Sequence, residues 1–136
     1  MNETIKLCQK GDEYTRKKQY ENALKLYHKS WDSIPKPKLK NPLAKVVLIQ
    51  IYASNERLGT IEAGVCYLKL AKQAYHGDKD SRVNFLLGKY YLDNKNNPAK
   101  AHPYFKIAWI GSEGRAFLEE DSKYLDFLRT YKKTND

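Results

Sequence analysis

The chain has 136 residues, and this length bounds the fold before any motif is considered. A chain of this size usually forms one domain and can bury a core without disulfide bonds or a metal ion. Hydrophobic residues make up 41% and charged residues 30%, which is typical of a globular protein and excludes wholesale disorder. We therefore expect residues 1–136 to form a single folded domain, and we exclude a two-domain enzyme.

The charge balance favours acidic partners. Lys and Arg number 25 against 16 Asp and Glu, so the formal net charge is +9 at pH 7. Such an excess attracts nucleic acid or an anionic protein, and the sign of the charge does not distinguish between these two kinds of partner. Cys8 and Cys66 lack C-x-x-C spacing, which favours reduced thiols in the cytoplasm. No apolar run is long enough for a signal peptide or a membrane span, so we expect a cytoplasmic protein without membrane contact.

Apolar residues at helical spacing begin near the N-terminus. They predict two amphipathic helices separated by a break at 17–19. The second helix must end by Ile34, because Pro35 and Pro37 cannot continue it. A stiff, basic connector is expected over 35–42.

The same spacing predicts helices along the remainder of the chain. Thr60 and Ser81 are the expected N-caps of the fourth and fifth helices, and Pro98 fits the first turn of the sixth. No segment has the alternation of a strand. The predicted helices lie over 43–55, 61–75, 82–92 and 98–110, with one or two more within 115–133.

Helix pairs that recur every thirty-odd residues are the pattern of a helical repeat. In the first pair, Gly11 is followed by Ala23, Tyr27 and a closing Pro35. These residues, at these spacings, resemble a tetratricopeptide repeat (TPR). In that family a small residue lets the paired helix approach, Ala lies where the helices cross, and Pro ends the second helix.

Two weaker copies follow the first. The second copy has Ala63 at the crossing and Tyr67 as the large residue, with Ile51 where a small residue belongs. The third copy contains Gly88 and Tyr91, and its longer turn resembles Sel1-like repeats. The resemblance implies an all-α, right-handed α-solenoid of about three TPR/Sel1-like helix pairs, over about 4–37, 44–77 and 81–114, with a C-terminal cap over 115–133.

The resemblance also implies where a partner would bind. The first helix of each pair lines the concave face in this family, and a basic, aromatic groove would suit an extended acidic peptide or a partner helix. A terminal-carboxylate clamp is not expected, because Cys8, Asp12, Leu48 and Tyr52 stand where its Lys and Asn residues belong. By helical phase the expected contacts are Asp12, Arg16, Lys45, Tyr52, Asn55, Arg82, Phe85 and Lys89.

No residue pattern predicts catalysis or metal binding. His28, His76 and His102 each lack a second His or Cys three or four residues away, which a helical zinc site requires. The segment 111–115 follows a predicted helix and lacks the Gly-Lys-Ser/Thr of a phosphate loop. We therefore expect no enzyme activity, no catalytic residue, no metal and no cofactor.

The sequence thus predicts a non-enzymatic protein–protein interaction module, an adapter or regulator with a peptide-like or toxin-like partner that has an acidic surface. Small proteins that look like this include immunity proteins, so a specific inhibitor of one cognate partner is one form of the hypothesis. The alternative is a helical-repeat protein that binds RNA or DNA through its lysine clusters. These clusters are Lys17 and Lys18, then Lys36, Lys38 and Lys40, and finally Lys132 and Lys133.

Overall fold

The computed structural model describes residues 2–132, and every regular element among them is a helix. The all-α prediction is therefore confirmed for this part of the chain. Short 3-10 helices occupy Lys38–Lys40 and Arg115–Phe117, and a π-helical turn occupies Tyr90–Asn94. The α-helices are α1 Asn2–Arg16, α2 Tyr20–Ser33, α3 Ala44–Arg57, α4 Ile61–Gln73, α5 Ser81–Lys89, α6 Pro98–Ser112 and α7 Ser122–Thr130.

Adjacent helices pack in pairs within two compact units, Met1–Gly77 and Asp78–Asp136. In the first unit α1 packs on α2 and α3 packs on α4, while α2 also contacts α3. In the second unit α5 packs on α6, and α7 contacts α6. Within residues 2–132, none of the helices combines the length and apolar character that crossing a bilayer requires.

The second helix of each pair buries the same pattern of side chains. A small residue is followed four positions later by a large one and seven positions later by another small one. The small residues allow two helix backbones to approach closely, and the large residue fills the space between them. The residues that follow this pattern are Ala23, Tyr27 and Ser30 in α2, Gly64, Leu68 and Ala71 in α4, and Ala101, Phe105 and Ala108 in α6; α4 also buries Val65.

A glycine lies at a close contact between the two helices of each pair. A Cβ at Gly11 would lie 2.6 Å from Cε1 of Tyr27, and one at Gly88 would lie 2.9 Å from the Phe105 ring. In the α3–α4 pair the roles are exchanged, since a Cβ at Gly64 would lie 2.7 Å from Cβ of Asn55.

The residue at which α4 crosses α3 differs from the predicted Ala63. Ala63 is exposed and Gly64 is buried, so the predicted phase of α4 is wrong by one residue. The large residue is accordingly Leu68, which is fully buried, and Tyr67 is only half-buried.

The turns inside the three pairs have the same backbone geometry. Their central residues Lys18, Gly59 and Asn96 have φ values of 60°, 76° and 48°. In each turn the next N–H returns to a carbonyl of the preceding helix at 2.9 Å, as in a Schellman motif. The third turn encloses one more residue, because the π-helical turn inserts a single residue. The donor and acceptor pairs are Gln19 with Tyr14, Thr60 with Asn55, and Asn97 with Tyr91.

One of the two predicted N-caps, Thr60, is confirmed in position, and the other, Ser81, is wrong by one residue. Thr60 occupies the N-cap of α4 but makes no capping bond. Its hydroxyl instead donates to the carbonyl oxygen and Oδ1 of Asn55, at 3.1 and 2.9 Å. The α5 N-cap is Asp80 rather than Ser81, and its Oδ1 accepts the N–H of Val83 at 2.9 Å.

Candidate protein-binding surface

Two of the predicted contacts in the first unit lie in the interior. Tyr52 is 0% and Asn55 is 5% exposed, so neither is on a surface, which corrects their expected placement. The reason is that α3 contacts both α2 and α4, and a helix covered on two sides has little free face. Asn55 Nδ2 also donates to the carbonyl oxygen of Ile51 at 2.9 Å.

The three other predicted contacts of the first unit differ in their surroundings. Asp12 is half-buried, and its Oδ1 accepts the hydroxyl of Tyr27 at 2.5 Å and Nε2 of Gln50 at 2.9 Å. It therefore joins α1 to α2 and α3. Lys45 donates to the carbonyl oxygen of His76 at 3.3 Å. Arg16 is exposed at the end of α1.

Two neighbours of Asp12, Cys8 and Tyr27, have pKa values above their usual range. Burial raises the pKa of the Cys8 thiol to about 11, and the negative charge of Asp12 adds to this effect. Burial also raises the pKa of Tyr27 well above its usual range, as does the hydrogen bond its hydroxyl donates to Asp12. Both groups are therefore held in their protonated, neutral forms, which is the behaviour of structural residues.

The second unit also buries one predicted contact. Phe85 is 0% exposed, and its ring lies 5.4 Å from Phe105 and 5.0 Å from Phe117. The expected surface position of Phe85 is thus corrected to the centre of an aromatic core. Arg82 remains exposed, with Nη1 3.4 Å from a carboxylate oxygen of Glu120. Lys89 Nζ lies 6.0 Å from the Tyr124 ring centroid.

The lysine clusters of the nucleic-acid hypothesis are partly used by the fold. Lys38 Nζ donates to the carbonyl oxygens of Trp31 and Ile34 at 2.8 and 2.7 Å, at the end of α2. Lys36 and Lys40 in the same connector are exposed. Lys17, Lys18 and Lys132 are exposed as well, and Lys133 lies outside the described residues.

Several aromatic faces are covered by cations or rings of the same chain. Lys100 Nζ lies 4.6 Å from the Tyr91 ring centroid, and Tyr91 also stacks on Tyr104 with an interplanar angle of 7°. Similar cation–π contacts join Lys38 to Trp31 and Arg57 to Tyr20. These rings are less available to stack on nucleic-acid bases than the sequence suggests.

An apolar groove between α6 and α7 is a candidate binding feature that the sequence analysis missed. It has a volume of about 350 Å³. Ile110 is 72% and Trp109 is 36% exposed, which is high for large apolar side chains. The groove is lined by His102, Lys106, Trp109, Ile110, Leu125, Leu128 and Arg129.

Helix α6 builds one wall of the groove because large apolar residues, Trp109 and Ile110, lie outside its buried stripe. The buried stripe Ala101, Phe105 and Ala108 packs inward. The next residue along the chain after each member of this stripe lies about 100° further around the helix axis. These next residues, His102, Lys106 and Trp109, belong to the groove wall. The consecutive large apolar residues Trp109 and Ile110 were the signal available in the sequence.

Contacts of His102 hold the second wall in position. Its Nε2 lies 3.0 Å from the carbonyl oxygen of Leu128 in α7. The imidazole also packs against the rings of Phe127 and Tyr131, with centroid distances of 5.7 and 5.2 Å. These contacts tie α7 to α6 at one end of the groove, and Leu125 and Leu128 of α7 face the apolar side chains of α6.

The groove carries a positive charge from each helix. Lys106 belongs to α6 and Arg129 to α7, and both are exposed. Neither forms an ion pair with a residue of the described range 2–132. The arrangement can therefore bury apolar side chains and pair with carboxylates. In this same range no three His, Cys, Asp or Glu residues are gathered as metal ligands.

Comparison of the chain with family models, with curated proteins and with solved structures found no match. Its likeness to tetratricopeptide and Sel1-like repeats thus rests on the residues of the chain itself. Any function must be argued from the geometry and charge of its surfaces.

Proposed function

We propose that the chain is a non-enzymatic protein-binding module, an adapter or regulator whose partner is another protein with an acidic surface. The observation that carries the proposal is the apolar groove with Ile110 72% exposed between two cations, Lys106 and Arg129. Exposed apolar patches bordered by polar residues are typical of protein-interaction sites. The module acts in the cytoplasm and needs no cofactor.

The architecture we propose is a right-handed TPR/Sel1-like α-solenoid of three helix pairs with a C-terminal cap, forming one domain. This proposal is supported by features that recur in the three helix pairs of the chain. The second helices α2, α4 and α6 share one burial pattern, and the three turns share a left-handed central residue at Lys18, Gly59 and Asn96. Repeated local geometry of this kind is characteristic of helical-repeat proteins.

Two forms of the function differ in their partners. An inhibitor or immunity protein has one tight, stoichiometric partner, whereas an adapter binds several short motifs weakly. In either form the exposed predicted contacts Arg16 and Arg82 and the half-buried Lys89 add positive charge toward an acidic partner.

Nucleic-acid binding is the second candidate because positive charge is concentrated in one part of the chain. Residues 1–77 contain 14 Lys and Arg against 7 Asp and Glu, a net charge of +7, whereas residues 78–136 contain 11 against 9, a net charge of +2. This alternative predicts a steep loss of affinity as salt concentration rises.

The test is affinity purification of the tagged protein from its own cell extract in moderate salt. The eluate is divided, one half is treated with nuclease, and both halves are examined by mass spectrometry and by absorbance at nucleic-acid and protein wavelengths. We expect a stoichiometric protein partner that survives nuclease. Nuclease-sensitive nucleic acid without a protein partner would contradict the proposal and support the second candidate.

A further inference from the structure

We infer that the α6–α7 groove docks an amphipathic helix whose apolar stripe is flanked by acidic side chains. The inference rests on the proposed protein-binding function and names the site and the chemistry of the partner.

The shape of the groove favours a helical partner. Both walls are side chains of packed helices, and a third helix can place its ridge of side chains between them. Addition of a strand requires a free sheet edge, and residues 2–132 form no strand. The apolar lining formed by Trp109, Ile110, Leu125 and Leu128 is suited to aliphatic anchors rather than to a sugar–phosphate backbone.

The charge of the groove favours acidic flanks. Lys106 of α6 and Arg129 of α7 line the groove beside its apolar residues. A helix seated between them buries its apolar stripe, and carboxylates on its two sides meet one cation each. A basic helix would place like charges together, which costs binding free energy and opposes association.

The length of the groove limits how many apolar side chains a partner helix can bury in it. On α6 the lining runs from His102 to Ile110, which corresponds to about 12 Å at 1.5 Å per residue. A partner helix therefore presents about three anchors, at positions i, i+4 and i+7.

The probe is a synthetic helix of about four turns, with leucine at these three positions and glutamate on both sides of the stripe. The chain contains two tryptophans, so the Trp31→Phe variant retains Trp109 as a single reporter in the groove. We expect a blue shift of its emission that saturates as the peptide is added. Two control peptides have lysine flanks or a scrambled order of the same residues, and we expect each to bind at least tenfold more weakly.

Variants in the same Trp31→Phe background test the site. Ile110→Ser, and separately the pair Lys106→Glu with Arg129→Glu, are expected to weaken peptide binding at least tenfold. Leu118→Ser changes another exposed apolar residue, and Lys25→Glu with Lys29→Glu makes the same change in net charge on α2. These matched controls are expected to retain wild-type affinity, and far-UV circular dichroism checks that every variant is folded.

Unchanged affinity in the folded groove variants would overturn the inference, as would equal binding of the lysine-flanked peptide or no binding of the acidic one. A concentration-dependent dimer in sedimentation that Ile110→Ser abolishes would also overturn it, because a second copy would then occupy the groove. These failures are distinct from failure of the proposed function. If the tagged wild type and Ile110→Ser recover the same protein partner in equal yield, the inference fails and the protein-binding function stands.

Discussion

Single residues show how this fold uses charge for structure. Lys38 lies in the basic connector, yet its Nζ donates to the carbonyl oxygens of Trp31, Asp32 and Ile34 and lies 5.4 Å from the Trp31 ring centroid. A cation at this place satisfies terminal carbonyls of α2 and interacts favourably with the helix dipole. Its role is therefore stabilisation of the end of α2.

Lys38→Met is expected to lower the free energy of unfolding by about 1–2 kcal/mol, because charged hydrogen bonds to helix-end carbonyls are lost. Lys40→Met is the matched control, since Lys40 is exposed in the same connector, and its effect should stay within about 0.5 kcal/mol. Urea denaturation followed by circular dichroism measures both. Equal effects of the two substitutions would contradict the structural role of Lys38.

Elements of the chain differ in how their ends are formed. The turns after α1 and α3 each close in three residues with a left-handed central residue, which is Gly59 in one and Lys18 in the other. Glycine adopts this conformation without steric cost, whereas a residue with a Cβ pays about 1–2 kcal/mol. The first turn is thus less favourable than the second.

Lys18→Gly is expected to raise the free energy of unfolding by about 0.5–1 kcal/mol, part of the gain being offset by the greater entropy of glycine in the unfolded chain. Lys17→Gly serves as the control, because Lys17 does not have a positive φ, and it is expected to be neutral or destabilising. Thermal and urea unfolding of the two variants provide the comparison. A loss of stability with Lys18→Gly would show that the turn is not left-handed.

The whole molecule buries titratable groups that make it sensitive to alkali. Burial and the hydrogen bond to Asp12 raise the pKa of Tyr27, and burial and a hydrogen bond to Asp93 raise that of Tyr124. Burial also raises the pKa of Cys8 to about 11. In the unfolded chain these groups lose their protons at lower pH than in the folded chain, so rising pH favours unfolding.

These three groups are therefore expected to leave the free energy of unfolding unchanged below about pH 9 and to lower it at higher pH. Cys8 lowers the stability first, because its thiol in the unfolded chain has an ordinary pKa near 9. The two tyrosines lower it from about pH 10 upward, where they ionise in the unfolded chain. Tyr27→Phe should lower stability at neutral pH by loss of its hydrogen bond, yet flatten the decline above pH 10. Urea midpoints measured from pH 7 to 11.5 test this, and an unchanged slope in the variant would disprove the contribution of Tyr27.

The sequence by itself determined the helices and most of their ends. Pro35 and Pro37 stop α2 because they remove backbone donors and clash with a helical neighbour, and Pro98 begins α6 where its missing N–H costs nothing. The apolar stripe of α2, including Ala23 and Tyr27, could be read directly. These features are local, so neighbouring residues are sufficient to specify them.

Only the tertiary structure decided the phase of α4 and the content of the candidate site. Ala63 and Gly64 are both small, and a shift of one residue turns a helix face by about 100°, so only the contact with Asn55 distinguishes them. Tyr52 and Phe85 are buried by packing between different helices, which the sequence of one helix does not specify. The groove likewise exists because α7 contacts α6 and leaves Trp109 and Ile110 partly uncovered, and the depth of such a contact depends on side chains from both helices at once.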